Sequence, residues 1–308
     1  MAESLHLRIG SRGSQLALWQ ANHIAERLRA QGHKVSIEII RTSGDAMQSL
    51  TFAQVGAKGM FTKEIEDALA EGRIDLAVHS LKDLPTHLAE PFTLAAIPER
   101  ADPRDVFVSV RYESFAGLPA SSRIGTSSLR RQSQLRAQRR DLEYVEFRGN
   151  VDTRLRKLAE GQVEGIVLAA AGLERLGRME HVRERFPALV LCPAAGQGAL
   201  AIETRAGDAR TIEALAFLED ADSRFAVTAE RAALAALGGG CQVPIGINCA
   251  RRDSEWFITG VVATPDGSGV VREELERQSE ANPQALGEKL ARKLIEQGAG
   301  ELLRASLP

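Results

Sequence analysis

Short apolar segments alternate with helical segments along the first 218 residues, and no other feature limits the fold of this chain as strongly. The first strand–helix pair joins a strand of alternating apolar residues at 5–9 to a helix over 15–29 through a polar loop. Strands at 35–40 and 74–78 follow, with a helix over 61–71 between them. Strands that alternate with helices in this way predict an α/β fold with a largely parallel sheet.

A second strand–helix series begins after the polar stretch 98–103, with predicted strands at 106–110, 144–147 and 165–170 and a predicted strand end at 123–125. The apolar segment 199–203 then returns to complete the first series if the second series is an insertion. Two α/β lobes joined by such crossings resemble periplasmic binding proteins, in which a ligand lies between hinged halves.

The pattern changes in the last third of the chain. A helix ends at Gly238, three predicted strands follow, and Asn282 with Pro283 opens a closing helix. This order predicts a C-terminal α+β domain with a small antiparallel sheet. The predicted domains are residues 1–98 together with 199–218, residues 99–198, and residues 219–308.

Composition excludes several classes of partner. The 308-residue chain has a net charge of −2, so a broad nucleic-acid surface is not expected. Its N-terminus has no charged and apolar leader, and no membrane anchor is evident, which favours a cytoplasmic protein. Cys192, Cys241 and Cys249 lack CxxC spacing, so neither a metal site nor a disulfide framework is predicted.

Cys241 lies in a loop that presents a side chain. Three glycines precede it, and Pro244 fixes the backbone soon after it. The loop follows the alanine-rich helix that ends at Gly238. Either Cys241 is a reactive thiol, or it is a small buried residue in a tight turn.

Polar residues also follow the predicted strands. Ser14 is an expected N-cap, and the segment after the strand at 74–78 contains His79, Lys82 and Asp83. In open α/β sheets ligands bind beyond the carboxyl ends of the strands, although the same residues could belong to a solvated loop. The loop around Lys58 is rich in glycine but lacks the spacing of a nucleotide-binding P-loop.

Arginines recur where strands end and helices begin. Two of them open the helix after Ser128, where positive charge opposes the helix dipole unless an anion approaches. Arginine is suited to gripping carboxylates in a bidentate manner, so the pattern favours a ligand with many carboxylates over isolated surface charges. The arginines concerned are Arg12, Arg130, Arg131, Arg148, Arg154 and Arg175.

Seven sequence blocks, in the same order along nearly the whole chain, resemble the porphobilinogen deaminase (hydroxymethylbilane synthase) family. They are 12–17 (RGSQLA), 55–59 (VGAKG), 78–85 (VHSLKDLP), 125–131 (GTSSLRR), 148–150 (RGN), 193–198 (PAAGQG) and 239–246 (GGCQVPIG). The resemblance implies a covalent dipyrromethane cofactor attached to Cys241 through a thioether. It further implies a transferase that adds four porphobilinogen molecules to this primer, releases ammonia and yields hydroxymethylbilane for tetrapyrrole (haem) biosynthesis.

The resemblance also implies roles for individual residues and a monomeric protein. Asp83 is the expected catalytic carboxylate. The expected cofactor-binding residues are Cys241, Ser14, Lys82, Asp83, Ser128, Arg130 and Arg131. The expected substrate-binding residues are Arg12, Lys58, Arg148, Arg154, Arg175 and Gln197.

Two other functional classes are compatible with the residues alone. A small-anion binding module would share the two hinged lobes, but it gives no reason for a glycine-flanked Cys241. A cysteine hydrolase would pair Cys241 with His79 and would leave the arginines unexplained. Formation of bilane from porphobilinogen distinguishes the three.

Overall fold

The computed structural model describes residues 4–42, 62–239, 243–278 and 282–305. The strands are β1 (His6–Ser11), β2 (Lys34–Ile39), β3 (Leu76–Ser80), β4 (Phe92–Ala96), β5 (Asp105–Val108), β6 (Arg123–Gly125), β7 (Glu143–Val145), β8 (Gly165–Ala169), β9 (Val182–Arg185), β10 (Leu200–Arg205), β11 (Ile245–Arg252), β12 (Glu255–Ala263) and β13 (Val270–Gln278). The helices are α1 (Gln15–Ala30), α2 (Lys63–Ala70), α3 (Leu129–Gln138), α4 (Val151–Ala159), α5 (Ala170–Arg175), α6 (Ala209–Leu215), α7 (Ala221–Ala236), α8 (Pro283–Glu296) and α9 (Ala299–Ala305).

The chain divides into two compact units. The first contains residues 1–100 and 199–224, and the second contains residues 101–198 and 225–308. Together they hold two five-stranded sheets and one three-stranded sheet among the described residues. The predicted fold class, two α/β lobes with a small antiparallel sheet, is confirmed.

The sheet of the first unit has the order β2-β1-β3-β10-β4. β1 pairs in parallel with both β2 and β3, as the alternation of strands and helices predicts. β10 instead runs antiparallel to both β3 and β4. The sheet is therefore mixed, because β10 arrives with the returning chain rather than through a crossover helix.

The first core forms between β1 and α1. Leu7, Ile9, Ile24 and Leu28 are at most 2% exposed. Leu7 and Ile9 alternate along β1, and Ile24 and Leu28 recur at helical spacing in α1. Each element therefore has one apolar side to bury. Packing these sides together fixes the loop between them, which carries Arg12 and Ser14, at the carboxyl end of β1.

The sheet of the second unit has the order β7-β6-β8-β5-β9. β6 pairs in parallel with β7 and β8, whereas β5 runs antiparallel to β8 and β9. Phe107 of β5 is completely buried, and a Cβ at Gly165 would overlap its ring. Glycine at position 165 is therefore what lets β8 lie against this ring.

The C-terminal sheet, also in the second unit, is antiparallel with the order β11-β12-β13. α8 packs on it through Leu286, Leu290 and Leu294, which are fully buried. Asn282 caps this helix by accepting hydrogen bonds from the backbone N–H groups of residues 284 and 285. The helix predicted from Asn282, Pro283 and the leucine spacing is thus confirmed.

The predicted helix ends are also confirmed. Gly72 and Gly238 follow the last turns of α2 and α7 with φ values of +69° and +66°, which side chains with a Cβ rarely adopt. Two strands, β4 and β9, were not predicted from the sequence. In β9, charged residues at 183–185 obscure the apolar signal of a strand.

Within the described ranges, no helix is both long and apolar enough to cross a membrane.

Candidate active site

A pocket opens at the carboxyl ends of β1 and β3 in the first unit. Its polar lining includes Arg12, Ser14, Gln20, His79, Ser80 and Asp83. Because β1 and β3 are parallel neighbours, the residues that follow each strand emerge at the same edge of the sheet. The structure thus brings together three of the predicted site residues, Arg12, Ser14 and Asp83.

Each of these three residues has a distinct local setting. Ser14 is half-buried and is the N-cap of α1, where its Oγ accepts a hydrogen bond from the N–H of Ala17 at 3.3 Å. Arg12 is half-buried in the loop before that cap. Asp83 is exposed and ends the single 3-10 turn Leu81–Asp83 that follows β3. The half-buried Lys82 precedes it in the same turn.

Gln20 belongs to the pocket although the sequence analysis did not single it out. It is 2% exposed and donates a hydrogen bond from Nε2 to Ser80 Oγ at 2.8 Å. Its signal in the sequence is a polar residue on the face of α1 that otherwise buries Ala21, Ile24 and Leu28. A buried amide needs a partner, and Ser80 at the end of β3 supplies it.

A buried hydrogen-bonded pair, His79 with Glu203, lies at the pocket, and His79 belongs to its lining. His79 Nε2 lies 2.9 Å from Glu203 Oε2, and the two side chains are 8% and 0% exposed. Glu66 of α2 is close enough for their charges to interact: burial, followed by the negative charge of Glu203, raises the pKa of Glu66. Glu203 was missed because it lies 124 residues from His79 in the sequence.

The second unit contains a different cluster of predicted residues around Asp105, which is fully buried. Arg130 donates to Asp105 Oδ2 at 2.6 Å, and Arg131 donates to Oδ1 through Nε at 3.0 Å and Nη2 at 2.7 Å. Gln197, 1% exposed, donates to the same Oδ1 at 2.9 Å. Burial alone would raise the pKa of Asp105, but Arg130 and Arg131 outweigh it and hold that pKa well below its usual value.

This cluster explains the two cations in the first turn of α3. Ser128 caps the helix by accepting a hydrogen bond from the N–H of Arg131 at 3.4 Å. The first anion that Arg130 and Arg131 meet is the chain's own Asp105. Burial, helped by the positive charge of Arg130, lowers the pKa of Arg131 below its usual value, although the charge and hydrogen bonds of Asp105 oppose this change.

The remaining predicted arginines of the second unit differ in their surroundings. Arg148 pairs with Glu146 at 2.5 Å, and Arg175 donates to the carbonyl oxygen of Gly198 at 2.6 Å. Burial lowers the pKa of Arg154 and of Arg175 to about 10. Arg154 Nε is a buried donor that has no hydrogen-bond partner among the described residues.

Lys58 and Cys241 lie outside the described residues. The other two cysteines are buried, Cys192 completely and Cys249 to 2% exposure. Burial raises the pKa of the Cys192 thiol to about 12, which makes it a poor nucleophile at neutral pH.

Among solved structures, the chain is similar to a periplasmic substrate-binding protein of an ABC transporter from Coxiella burnetii. The two are 14% identical, the match covers 71% of this chain and 94% of that chain, and the TM-score is 0.43. A methionine-binding protein, MetQ, is 13% identical with a TM-score of 0.43, and the match covers 68% of this chain and 87% of that one.

Curated relatives match over nearly the full length. A porphobilinogen deaminase of Desulforudis audaxviator is 50% identical over 297 residues, which cover 96% of each chain. That of Syntrophotalea carbinolica is 48% identical over 301 residues, covering 97% of this chain and 95% of the relative.

Two family models divide the chain between them. The model described as the dipyromethane cofactor binding domain of porphobilinogen deaminase matches residues 7–213, and the model of the C-terminal domain of the same enzyme matches residues 224–296. The first match includes both the pocket with Asp83 and the Asp105 cluster. With these two matches and relatives of 48–50% identity, the chain belongs to the porphobilinogen deaminase family.

Proposed function

We propose that this chain is a transferase that joins four porphobilinogen molecules into hydroxymethylbilane and releases one ammonia with each addition. Family membership gives the reaction. The structural observation that carries the proposal is the meeting of Asp83, Arg12 and Ser14 at one pocket, formed by the ends of two adjacent parallel strands. This places an exposed carboxylate beside a cation and a hydroxyl, as a substrate with pyrrole N–H and carboxylate groups requires.

Asp83 is the proposed catalytic residue. Its carboxylate can accept the N–H hydrogen bonds of pyrrole rings and stabilise the positive charge that develops when ammonia leaves. The same oxygen atoms can move a proton during the reaction. Its position at the end of the turn Leu81–Asp83 keeps it at the pocket while the turn itself is anchored by the buried Leu81.

The residues of the pocket fit a dipyrromethane. Such a group carries acetate and propionate side chains and pyrrole N–H groups, and the pocket offers Arg12 and two serine hydroxyls to the former and Asp83 to the latter. When bound, the dipyrromethane supplies the pyrrole carbon to which porphobilinogen is added. We infer that Cys241 holds it through a thioether, with Ser14, Lys82 and Asp83 in contact with it.

The arginines of the second unit are proposed to bind carboxylates. Arg154 supports this role most directly, since its buried Nε has no hydrogen-bond partner in the part of the chain that the structure describes and its desolvated charge would gain from an anion. We propose Ser128, Arg130 and Arg131 as further cofactor-binding residues, with Asp105 holding the two guanidinium groups in place. The proposed substrate-binding residues are Arg12, Lys58, Arg148, Arg154, Arg175 and Gln197.

The remaining proposals concern organisation. We propose three domains, with residues 99–198 inserted into the first and residues 219–308 forming the third. The change from mixed to antiparallel sheets supports the third domain. We also propose a monomer in the cytoplasm that works without nucleic acid or membrane. The resemblance to the family supports the monomer, and the small net charge of −2 supports the absence of a nucleic-acid partner.

Incubation with porphobilinogen tests the function. Acid and oxidant convert the linear product into a fluorescent porphyrin, and a coupled assay counts the ammonia. We expect four ammonia molecules for each porphyrin formed. A chain that binds porphobilinogen but releases no ammonia would be a binding module, and burst acylation by esters would instead indicate a cysteine hydrolase.

A further inference from the structure

Three ionisable side chains meet on one face of the first sheet. His79 lies on β3 and Glu203 on β10, where Glu203 faces Ala77, two residues before His79. Side chains two residues apart point to the same face of a strand, so His79 and Glu203 share a face. α2 covers this face through Ile65, and it brings Glu66 towards the pair.

Burying His79 with Glu203 has a desolvation cost. Glu203 is completely buried, and its Oε1 has no hydrogen-bond partner among the described residues. A buried charged group such as this carboxylate is often no more stabilising than an apolar residue of the same size. Burial, and after it the negative charge of Glu203, raises the pKa of Glu66, so the site disfavours a second negative charge.

The orientation of His79 is that of a proton-transfer group. Glu203 accepts a hydrogen bond from Nε2–H at 2.9 Å, which leaves Nδ1 as the ring nitrogen that can serve a ligand. His79 also lines the pocket that contains Asp83 and Arg12. A carboxylate that accepts a hydrogen bond from one ring nitrogen fixes the tautomer of the ring and leaves the other nitrogen unprotonated. A ring held in this way can act as a base in the pocket.

We propose that His79 is a second proton-transfer residue of the reaction, with Glu203 as its positioning residue. This inference rests on the proposed function. In each addition the carbon–nitrogen bond of porphobilinogen breaks and its electron pair leaves with ammonia, while a carbon–carbon bond forms and a pyrrole carbon loses its proton. His79 Nδ1 takes this proton and passes it to the ammonia, which leaves as ammonium and returns the ring to its starting state. In this step Asp83 stabilises the positive charge.

The test compares ordinary porphobilinogen with porphobilinogen deuterated at its free pyrrole carbon. His79→Gln keeps a donor for Glu203 in the place of Nε2 but has no base in the place of Nδ1. We expect intact-protein mass spectrometry to show the dipyrromethane still attached, bilane formation to fall by about 10²–10⁴-fold, and the deuterium isotope effect to increase. The increase is expected because breaking the carbon–hydrogen bond becomes rate-limiting.

His181→Gln is the matched control. This histidine is exposed and has a carboxylate partner, Glu180, at 3.4 Å. Its rate and isotope effect should equal those of the wild type. Wild-type values in His79→Gln would overturn the inference and leave the function intact, whereas a wild-type chain that makes no bilane would overturn the function itself.

Glu203→Gln tests the positioning role by a signal that is independent of turnover. The ¹⁵N spectrum of histidine-labelled protein shows which ring nitrogen carries the proton, and the signals missing from His79→Gln identify this residue. We expect an unprotonated Nδ1 in the wild type and a changed ring signal in Glu203→Gln, whose amide can donate to Nε2. A wild-type ring that holds a proton on Nδ1 would contradict the proposal.

Discussion

Asp83 is more exposed than the other polar side chains named in the pocket, since Gln20 and His79 are buried and Arg12, Ser14 and Ser80 are half-buried. Its carboxylate can therefore be changed without opening the core. A residue of this kind separates catalysis from stability, because the loss of an exposed charge rarely changes the free energy of unfolding by more than about 0.5 kcal/mol.

Asp83→Asn should retain the fold and the attached dipyrromethane but lose about 10²–10⁴-fold in turnover, because the shape remains while the charge is gone. Asp83→Glu should keep part of the activity. Porphyrin fluorescence measures turnover, intact mass measures the attached group, and thermal unfolding checks the fold. Wild-type turnover in Asp83→Asn would assign the catalytic role to another carboxylate.

Arg154→Leu should weaken binding of the growing product, because it removes a desolvated cation whose truncation typically costs about 2–5 kcal/mol of binding. The expected sign is the accumulation of partly grown chains on the protein, seen as mass increments. Arg156→Leu is the control on the same helix, since Arg156 is exposed and bonds Glu160 at 2.6 Å. Equal product distributions in the two variants would remove Arg154 from the substrate-binding set.

At the scale of secondary-structure elements, buried carboxylates connect segments that are distant in the sequence. Asp105 at the start of β5 holds the first turn of α3 through Arg130 and Arg131. Glu230 of α7, which is completely buried, accepts the N–H groups of Gly196 and Cys249, each at 2.7 Å. In both places one carboxylate determines how a loop or helix end meets a strand.

Most elements can be predicted from the sequence, but these connections cannot. Helix ends at Gly72 and Gly238 and the apolar faces of α1 and α8 are local signals, and they were predicted correctly. The partner of Arg131 lies 26 residues away, and that of Gly196 lies 34 residues away. Such pairings depend on the packing of the sheet, which periodicity alone does not reveal.

Asp105→Asn should destabilise the protein by about 3–5 kcal/mol, because it leaves two buried guanidinium groups without a counter-charge. The pKa of Asp105 is lowered in the folded state, so its contribution is present above the unfolded pKa and is lost as pH falls. The difference in unfolding free energy between wild type and variant should therefore narrow below about pH 4. Urea denaturation at several pH values measures this difference.

Asp152→Asn is the control for that experiment. Asp152 is partly exposed and lies 3.7 Å from Arg178, so its loss should cost less than about 1 kcal/mol. A similar loss of stability in both variants would mean that the buried Asp105 cluster stabilises the fold no more than a partly exposed ion pair does.

Glu230→Gln should cost about 1–3 kcal/mol of stability, because the amide can accept from one of the two backbone N–H groups but presents its own N–H groups to the other. Urea denaturation again provides the measurement. Glu213→Gln, at an exposed position of α6, should leave the unfolding free energy unchanged. If Glu230→Gln were as stable as that control, the buried carboxylate would not be what fastens Gly196 to β11.

At the scale of the whole molecule, the fold class and the family were both predicted from sequence blocks spread over nearly the full length. What could not be predicted is the direction of β5 and β10. Each is the first strand after the chain passes from one unit to the other, and each runs antiparallel to its neighbours in the five-stranded sheet that it joins. Periodicity indicates that a segment is a strand, but it carries no information about direction.

The attachment of the cofactor is a property of the complete chain and gives the last prediction. Intact-protein mass spectrometry should show an excess equal to two linked pyrrole units, and digestion should place it on the peptide that contains Cys241. Cys192 and Cys249 should be unmodified because both are buried, and because the pKa of Cys192 is raised to about 12. Cys241→Ala should fold, lack the excess and make no bilane. Turnover by a chain without the excess mass would contradict the mechanism.

The position of β10 also determines the order in which the two five-stranded sheets can be finished during synthesis. β4 is hydrogen-bonded to β10 alone among the described strands, and β10 separates it from β3. When a ribosome has just made residue 100, four strands of the first sheet exist, yet β4 has no partner until residues 200–205 emerge. The strands of the second five-stranded sheet lie between residues 105 and 185 and are all synthesised earlier. Of the two five-stranded sheets, the one that begins first in the sequence is therefore the one completed last.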